Sequence, residues 1–407
     1  ANVDLDKIST DANQIKTAMQ GAEKTTEDYT DSLVQLEARQ TFFSDMQSRI
    51  TQIFGLANAF QALRRFVQES WTAIKELDAA FTEIAVVTDF TTGDLWDKFD
   101  SYNKMAQQLG VTTTDAIETS ALYYQQGLDT ADVMTLTTET IKMARIANMD
   151  FADATQAMTS AIRGFKLEMS DAQSVTDTYS ALAAEAAVDT DQLATAISKT
   201  ASIAGSAGLS LEDTSAFLTQ IIETTQEAPE TAGTALKTII ARFTELKKDP
   251  AVLKVDVEGE EVSANKVEEA LKTANVALRD TEGNFRDLDE VFLELSSKWD
   301  SLDRNTQRYI ATTAAGSRQQ SRFIAMMDNY KRTMELVDIA NDSAGAGAIQ
   351  FAKTLDSVGA RVNKLKSNFE ALIGNLVEND TVKGILDVLN EAMKTLVDAS
   401  EKGVVAF

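Results

Sequence analysis

The stretch "AGLSLEDTSAFL", residues 207–218, carries the signals for the end of one helix and the start of the next. Gly208 suits the left-handed backbone that commonly follows a helix. Ser210 has the side chain of an N-cap residue, and Asp213 can accept a hydrogen bond from the N-cap amide, as in a capping box. Leu209, just before the cap, is placed as a hydrophobic staple. The stretch therefore predicts a boundary between two helices.

The same pattern recurs between residues 110 and 228, where the instance near residue 170 is only partial. Successive predicted caps are separated by 17, 21, 20, 19 and 21 residues. This spacing allows helices of about four turns joined by short connections, so that neighbouring helices lie antiparallel or at a sharp angle. The pattern predicts a compact array rather than a rod. The predicted N-caps are Thr112, Asp129, Asp150, Ser170, Asp189 and Ser210.

The composition limits the chemistry that this protein can perform. Its 407 residues are 44% hydrophobic, which is ample for a buried core, and two prolines leave the backbone free to form helices. The sequence contains no cysteine and no histidine, so thiol nucleophiles and the commonest general base and transition-metal ligand are excluded. A formal charge of −25 opposes nucleic-acid binding, because phosphate contacts require Lys and Arg. Any enzyme with this composition would have to use carboxylates, lysine or serine alone. We expect no catalytic residues, no cofactor, no bound metal and no direct DNA binding.

Heptad patterns flank the array on both sides. Over residues 1–87, apolar or small residues recur every seven positions from Ile8 to Ile50, which favours a long coiled-coil-like helix. A linker-like stretch, residues 341–348, precedes the second and more regular pattern. That pattern predicts a self-association seam, and the phenylalanine at a core position favours three or more strands. The seam residues are Leu355, Val358, Val362, Leu365, Phe369, Leu372 and Leu376.

Two short stretches break the helical pattern and predict minor β-structure. Alternating apolar residues within 247–263 read as a strand leading into a turn, and a second small hairpin is expected around Glu282 and Gly283. The predicted fold is all-α, with a long N-terminal helix, an array of short capped helices, a minor β-hairpin insert and C-terminal coiled-coil-like helices. The predicted domains are 1–87, 88–248 (helical array), 249–287 (β-hairpin insert), 288–340 (helical subdomain) and 349–403 (coiled-coil-like helices).

Several stretches, taken in order, resemble the tail tape measure proteins of long-tailed bacteriophages and phage-tail-like bacteriocins. "LGVTTTDAIETSALYYQQGLD", "AIRGFKLEMSDAQSVTDTYSALA", "AGLSLEDTSAFL" and "ETAGTALKTIIARF" resemble the core region of that family. Two further stretches resemble the region that follows the core: "FRDLDEVFLELSSKWDSLDRNTQRYIATTAAGSRQQSRFIAMM" and "LDSVGARVNKLKSNFEALIGNL". Together these stretches cover roughly residues 75–400. Each motif is mostly capping and packing chemistry, and the ordered series is more specific than any single motif.

The resemblance implies a structural protein that lies in the tail tube lumen or tip after assembly in the host cytoplasm. Family members set tail length during assembly and leave ahead of the DNA at infection. The implied partners are other copies of the chain, tail tube and tip or hub proteins, assembly chaperones and, through segments beyond Phe407, the host membrane. From the start at Ala1 and the apolar ending "KGVVAF" we also expect a portion of a longer chain.

Other interpretations of the same residues stay open. The acids in the caps are possible metal ligands, although the spacing of a calcium loop is absent. Arg318 and Arg322 lie four residues apart on one predicted helix face, as a possible partner contact or an ordinary ion pair. The C-terminal seam can pair with another copy or with the helix that follows it. The alternative functions are a tail-associated peptidoglycan hydrolase that uses a carboxylate, and a cytoplasmic helical scaffold unrelated to phages.

Overall fold

The structure is a computed structural model that describes residues 68–69, 72–244 and 264–377. These residues are helical, with turns between the helices and no strand among them. The chain divides into two compact units, of which Ala80–Asn368 contains nearly all the described residues. The other unit comprises Ala1–Ala79 and Phe369–Phe407. The description that follows concerns the first unit.

The described range 72–244 contains ten α-helices. Helix α1 covers residues 72–87. The others are α2 (Thr92–Trp96), α3 (Phe99–Leu109), α4 (Thr113–Tyr124), α5 (Thr130–Ala147), α6 (Phe151–Phe165), α7 (Ala172–Glu185), α8 (Thr190–Ser206), α9 (Leu211–Thr225) and α10 (Pro229–Thr244). Pro229 is the first residue of α10, where its missing N–H costs no hydrogen bond. A single 3-10 turn, Met169–Asp171, separates α6 from α7.

Six α-helices occupy the described range 264–377. They are α11 (Ala264–Lys272), α12 (Leu288–Trp299), α13 (Arg304–Met327), α14 (Tyr330–Asn341), α15 (Ala346–Leu355) and α16 (Val358–Val377). Helix α13 is kinked at Gly316, whose backbone has φ 77° and ψ 169°. Residues 341–348 were expected to form a linker. The connection is shorter than that, because α14 ends at Asn341 and α15 begins at Ala346.

The recurring phrase does mark helix boundaries. Five predicted cap residues directly precede a helix: Thr112, Asp129, Asp150, Asp189 and Ser210. At Thr112 both bonds of the capping box are present, since Asp115 N–H donates to Thr112 Oγ1 at 3.0 Å and Thr112 N–H donates to Asp115 Oδ2 at 2.9 Å. The preceding helix ends at Gly110, which has φ 67°. The phrase thus satisfies backbone groups that a helix end would leave without partners.

Ser170 differs from the prediction, because it lies inside the 3-10 turn and not at a helix N-cap. Asp171 accepts a hydrogen bond from Glu168 N–H at 3.0 Å, which closes the turn two residues earlier than the sequence pattern indicates. Helix α7 then begins at Ala172. Glu168 and Asp171 form the capping box of this turn, so the cap lies at Glu168 rather than at Ser170.

The β-hairpin predicted around Glu282 and Gly283 is not formed. Residues Arg279 and Phe285 make one isolated antiparallel bridge across a tight turn, and no strand extends from it. Asp280 Oδ1 accepts N–H bonds from Glu282 and Asn284, so a side chain rather than a strand ladder satisfies the turn. The first predicted β-stretch, 247–263, and most of the long N-terminal helix lie outside the described residues.

The helices of the array cross at close range through small residues. A Cβ on Gly233 of α10 would lie 2.4 Å from the carbonyl oxygen of Ala196 in α8, so these two backbones touch. Helix α8 packs in the same manner on α6, and these two interfaces are among the most extensive in the unit. Small faces allow helix axes to approach closely, which explains the alanine-rich composition of this region.

Helices α12, α13 and α14 pack directly on the array. Phe292 of α12 contacts Phe217 of α9 and Phe243 of α10, with ring centroids 5.6 and 5.0 Å apart. Trp299 is fully buried and donates its indole N–H to Asp328 Oδ1 at 2.7 Å. Residues 288–340 therefore share a core with the helices before them. The domain boundaries predicted at residues 87, 248, 287 and 340 stay predictions.

Candidate interaction surface

The C-terminal part of the unit, residues 345–368, lies over the N-terminal helices, and we call it the strap. It contains α15 and the first turns of α16. Phe351 is 7% exposed and packs into an apolar cluster with Leu109, Val111 and Ile141, and Leu355 packs against the same cluster. Few apolar residues anchor the strap, so its position depends heavily on polar contacts.

Asp177 of α7 makes the first of these polar contacts. Its carboxylate is 4% exposed and accepts N–H bonds from Gly345 at 2.9 Å and Gly347 at 2.8 Å. Gly347 approaches so closely that a Cβ there would lie 2.8 Å from Asp177 Oδ1. A buried carboxylate at the start of a helix is stabilised both by these N–H donors and by the helix dipole. Asp177 thereby fixes where α15 begins.

Amide and guanidinium groups make the remaining polar contacts. Arg145 of α5 donates to the carbonyl oxygens of Gly110 at 3.1 Å and Thr354 at 3.3 Å. Asn363 donates to Gly110 O at 3.2 Å, and Asn103 donates to Ser367 O at 2.7 Å. Burial lowers the pKa of Arg145, although its guanidinium stays charged at any physiological pH. The strap is thus tied along its length to α3, to Gly110 at the end of α3, to α5 and to α7.

The first turns of α16 turn their small residues inward and their large apolar residues outward. Ala360 is 3% exposed and Ser367 is fully buried. On the opposite face, Val358, Val362 and Leu365 are 77%, 46% and 69% exposed, and we call these three residues the outer stripe. A helix normally buries its apolar face. This arrangement leaves that face available for a contact that the described residues do not supply.

The predicted seam is therefore divided by the structure. Leu355 is half-buried within the unit, and the outer stripe is exposed. Phe369 is half-buried, and Leu372 and Leu376 lie on α16 but their side chains are outside the described residues. The described ranges bring no second helix onto the outer stripe. Self-association through this seam stays a prediction.

The two arginines singled out in the sequence lie in different surroundings. Arg322 forms a two-point ion pair with Glu227, with Nε–Oε2 2.6 Å and Nη2–Oε1 2.8 Å. Its Nη1 also donates to the carbonyl oxygen of Arg318 at 2.6 Å. Arg318 itself is exposed. Arg322 thus joins α13 to the turn after α9, and Arg318 is the member of the pair whose side chain faces solvent.

A groove of about 560 Å³ lies between α7, α14 and α15. Its apolar lining includes Ala181, Ile339 and Ile349, of which Ile349 is 65% exposed. Its acidic lining consists of three exposed side chains, and none of the three forms an ion pair with any described residue. The full lining is Ala181, Ala184, Glu185, Asp338, Ile339, Asp342, Ala346, Ile349 and Gln350. We call this feature the acidic groove. The periodicity of the sequence did not predict it, because its lining residues come from three separate helices.

The acids of the helix caps are occupied by backbone donors. Asp129 Oδ1, for example, accepts N–H bonds from Ala131 and Asp132 at 2.9 and 3.0 Å. Across the ranges that the structure describes, no cluster of three or more acidic residues is arranged to hold a metal ion. In those same ranges no helix has the length and apolar content needed to span a membrane. The arrangement that is present is a set of packed helices with two exposed surfaces, the outer stripe and the acidic groove.

The described residues form a closely packed helical array whose polar groups serve as helix caps and as ties between helices. Comparison with known families then identifies the class, because the model of the phage-related minor tail protein family matches residues 100–316. The chain belongs to that family. Its matched region runs from α3 to the kink of α13. The predicted resemblance to phage tail proteins is confirmed at this level, as is the all-α class.

The chain is also similar to a tape measure protein of Pneumococcus phage Dp-1. The two are 24% identical over 322 residues, which cover 74% of this chain and 26% of the relative. The match thus spans about a quarter of that relative's length. No solved structure matches this chain. Family membership and this distant homology support a structural tail protein, and the finer assignments are proposals.

Proposed function

We propose that this chain is a folded, non-enzymatic portion of a tape measure protein that lies in the lumen or tip of a phage tail. Several copies would take part in tail assembly and length determination and would precede the DNA at ejection. The proposed partners are other copies of the chain, tail tube and tip or hub proteins, and assembly chaperones. Segments beyond Phe407 would contact the host membrane. Family membership and the homology to a tape measure protein support this proposal.

The folded-back array is the observation that carries the proposal's mechanical part. As one continuous helix, residues 92–377 would be roughly 430 Å long at about 1.5 Å per residue. A compact unit of comparable size has a radius of gyration of only about 19 Å. The array therefore adds little axial length, and we assign it the role of a compact end-piece. Length measurement would then belong to extended segments such as the heptad region 1–87.

Matched insertions in the parent phage test this division of roles. A helical insert of 28 residues, or four heptads, placed in register within the N-terminal heptads should lengthen the tail by about 42 Å. The same insert at the exposed Glu282–Gly283 turn, where a Cβ on Gly283 meets nothing within 4 Å, should leave tail length unchanged. Tail lengths in electron micrographs are the measurement. Equal lengthening by both inserts would contradict the proposed end-piece.

The net charge of −25 supports a chain that lies in the path of DNA without binding it. A gel-shift assay with duplex DNA at physiological salt should show no retardation by the 407-residue chain. Retardation under those conditions would contradict this part of the proposal.

Zymography on peptidoglycan separates the structural role from the alternative of a carboxylate-based hydrolase, and we expect no cleared zone.

A further inference from the structure

Two exposed surfaces of the unit are complementary in chemistry. The outer stripe is apolar and has basic residues on both sides, and the acidic groove has an apolar lining with three acids. We propose that the outer stripe of one copy docks into the acidic groove of a second copy. This inference rests on the proposed function only in taking the partner to be another copy of the chain. The proposed contact joins two different surfaces, whereas the seam predicted from the sequence would pair with the same seam of another copy.

The basic residues beside the outer stripe give the first argument. At about 100° per residue, Arg361 and Lys366 fall on the two sides of the line through Val358, Val362 and Leu365. Both basic side chains are exposed, and neither forms an ion pair with a described residue. In a chain with 63 acidic and 38 basic residues, an apolar stripe with basic residues on both sides is a local reversal of the general charge.

The acidic groove provides the matching features. Asp338 and Asp342 belong to the last turn of α14 and the residue after it, and Glu185 ends α7. Their carboxylates border an apolar lining that includes Ile339 and the exposed Ile349. Each of the three lining helices contributes about one turn to the groove. Anchors at positions i, i+4 and i+7 of an amphipathic helix suit such a groove.

The geometry of the strap favours a contact between copies over a contact within one copy. The inner face of α16 is held to Gly110 and Asn103 by the Asn363 and Ser367 hydrogen bonds, so the outer stripe faces away from its own unit. The acidic groove of the same unit is open. Two different patches that meet between copies form a heterologous interface. Local charge attraction at this interface would oppose the repulsion between copies that each carry −25.

Charge reversal on each surface separately tests the proposal on the 407-residue chain. The groove variant is Asp338→Lys with Asp342→Lys, and the stripe variant is Arg361→Glu with Lys366→Glu. All four side chains are exposed, and a basic residue at the end of α14 also suits the helix dipole, so both variants should fold. Glu282→Lys with Asp300→Lys is the control, because it changes the net charge as the groove variant does at two exposed acids outside the groove.

Sedimentation velocity over a concentration series measures association. We expect each variant alone to associate at least about tenfold more weakly than the natural chain, and the control to associate at least as well as the natural chain. An equimolar mixture of the two variants should recover association, because the unchanged stripe of one meets the unchanged groove of the other. The reversed stripe and the reversed groove also match each other. Circular dichroism at 222 nm checks that each variant is folded.

Three results would overturn the proposal. The first is association of the groove variant as strong as that of the natural chain, which would assign the contact to a seam that pairs with itself or to another region. The second is an equimolar mixture that associates as weakly as each variant alone. A natural chain that stays monomeric at every concentration would also exclude docking. None of these results would alter the tail-length test, so failure of this inference and failure of the proposed function are distinguishable.

Discussion

Gly205 of α8 lies against Gly164 of α6 so closely that a Cβ on Gly205 would sit 2.1 Å from the carbonyl oxygen of Gly164. No side chain fits between the two backbones at that separation. The alanine-rich helices of the array therefore owe their crossing geometry to positions where the side chain is absent altogether. This contact links composition directly to the tertiary arrangement.

Gly205→Ala should destabilise the unit by about 1–3 kcal/mol, because the two helices must separate to admit the methyl group. Thermal unfolding followed by circular dichroism measures the change. Gly359→Ala is the matched control, since its nearest contact would be Ser357 Oγ at 3.9 Å, and it should leave stability unchanged or slightly higher. Equal stability of the Gly205 variant and the natural chain would show that the helices can separate without cost.

Asp177→Asn should loosen the strap, because one carboxylate that accepts two backbone N–H bonds is replaced by a neutral amide with a single acceptor oxygen. Hydrogen bonds to a charged group contribute about 1.5–3 kcal/mol. Hydrogen exchange should become faster at the amides of Gly345 and Gly347 while α9 and α10 keep their protection. Gln173→Ala, which removes only a weaker 3.3 Å bond to the same carboxylate, is the control and should change little. Unchanged exchange at both glycines would refute the role of Asp177.

Asp289→Asn should stabilise the protein at neutral pH and have no effect in acid. Burial, followed by the nearby acids Asp213 and Asp287, raises the pKa of Asp289 above 3.8, and its Oδ1 has no hydrogen-bond partner among the described residues. A raised folded-state pKa means that the folded state binds the proton more tightly, so stability falls as pH rises from 3.8 through the folded-state pKa. The gain should be less than about 1 kcal/mol, because solvent screens a partly exposed charge.

Urea unfolding at pH 3 and pH 7 measures this difference. The exposed acid Glu282 supplies the control variant, Glu282→Gln, which should behave as the natural chain at both pH values. A stabilisation of Asp289→Asn that is the same at pH 3 and pH 7 would point to packing rather than to charge.

Arg322→Lys should cost about 0.5–1 kcal/mol, since lysine keeps the charge but cannot make the two-point contact with Glu227. A double-mutant cycle with Glu227→Gln isolates the interaction between the two residues. A coupling energy near zero would indicate that the pair contributes nothing to folding. Arg318→Lys is the comparison, and because that side chain is exposed it should leave stability unchanged.

The helix boundaries of the array were predictable because each depends on neighbours within a few residues. Asp213 lies three residues after Ser210 along the chain, and its N–H donates to Ser210 Oγ at 2.9 Å in the structure. The same local reasoning was wrong at Ser170, because Asp171 binds the N–H of Glu168 and moves the cap there. It was also wrong around Glu282, where the Asp280 side chain closes the turn without strands. Local rules predict a boundary well when a single local arrangement dominates.

The candidate surfaces were only partly predictable. Periodicity identified the apolar line through Val358, Val362 and Leu365, but it could not tell which face of α16 would be buried. The choice depends on Asn103 and Gly110, which lie about 250 residues earlier in the chain and offer polar contacts to the opposite face. The acidic groove gave no sequence signal, since each of its three helices supplies only one turn.

The sequence by itself determined the helical class, the positions of most helix ends and the chemical character of the chain, because capping, periodicity and charge act over a few residues or over the whole composition. The tertiary structure alone decided which helices touch at Gly164 and Gly205, where Asp177 anchors α15, and which face of α16 stays exposed. Those outcomes depend on contacts between residues far apart in the chain, and such contacts arise only when the packed helices bring backbone and side chains within a few ångströms of each other.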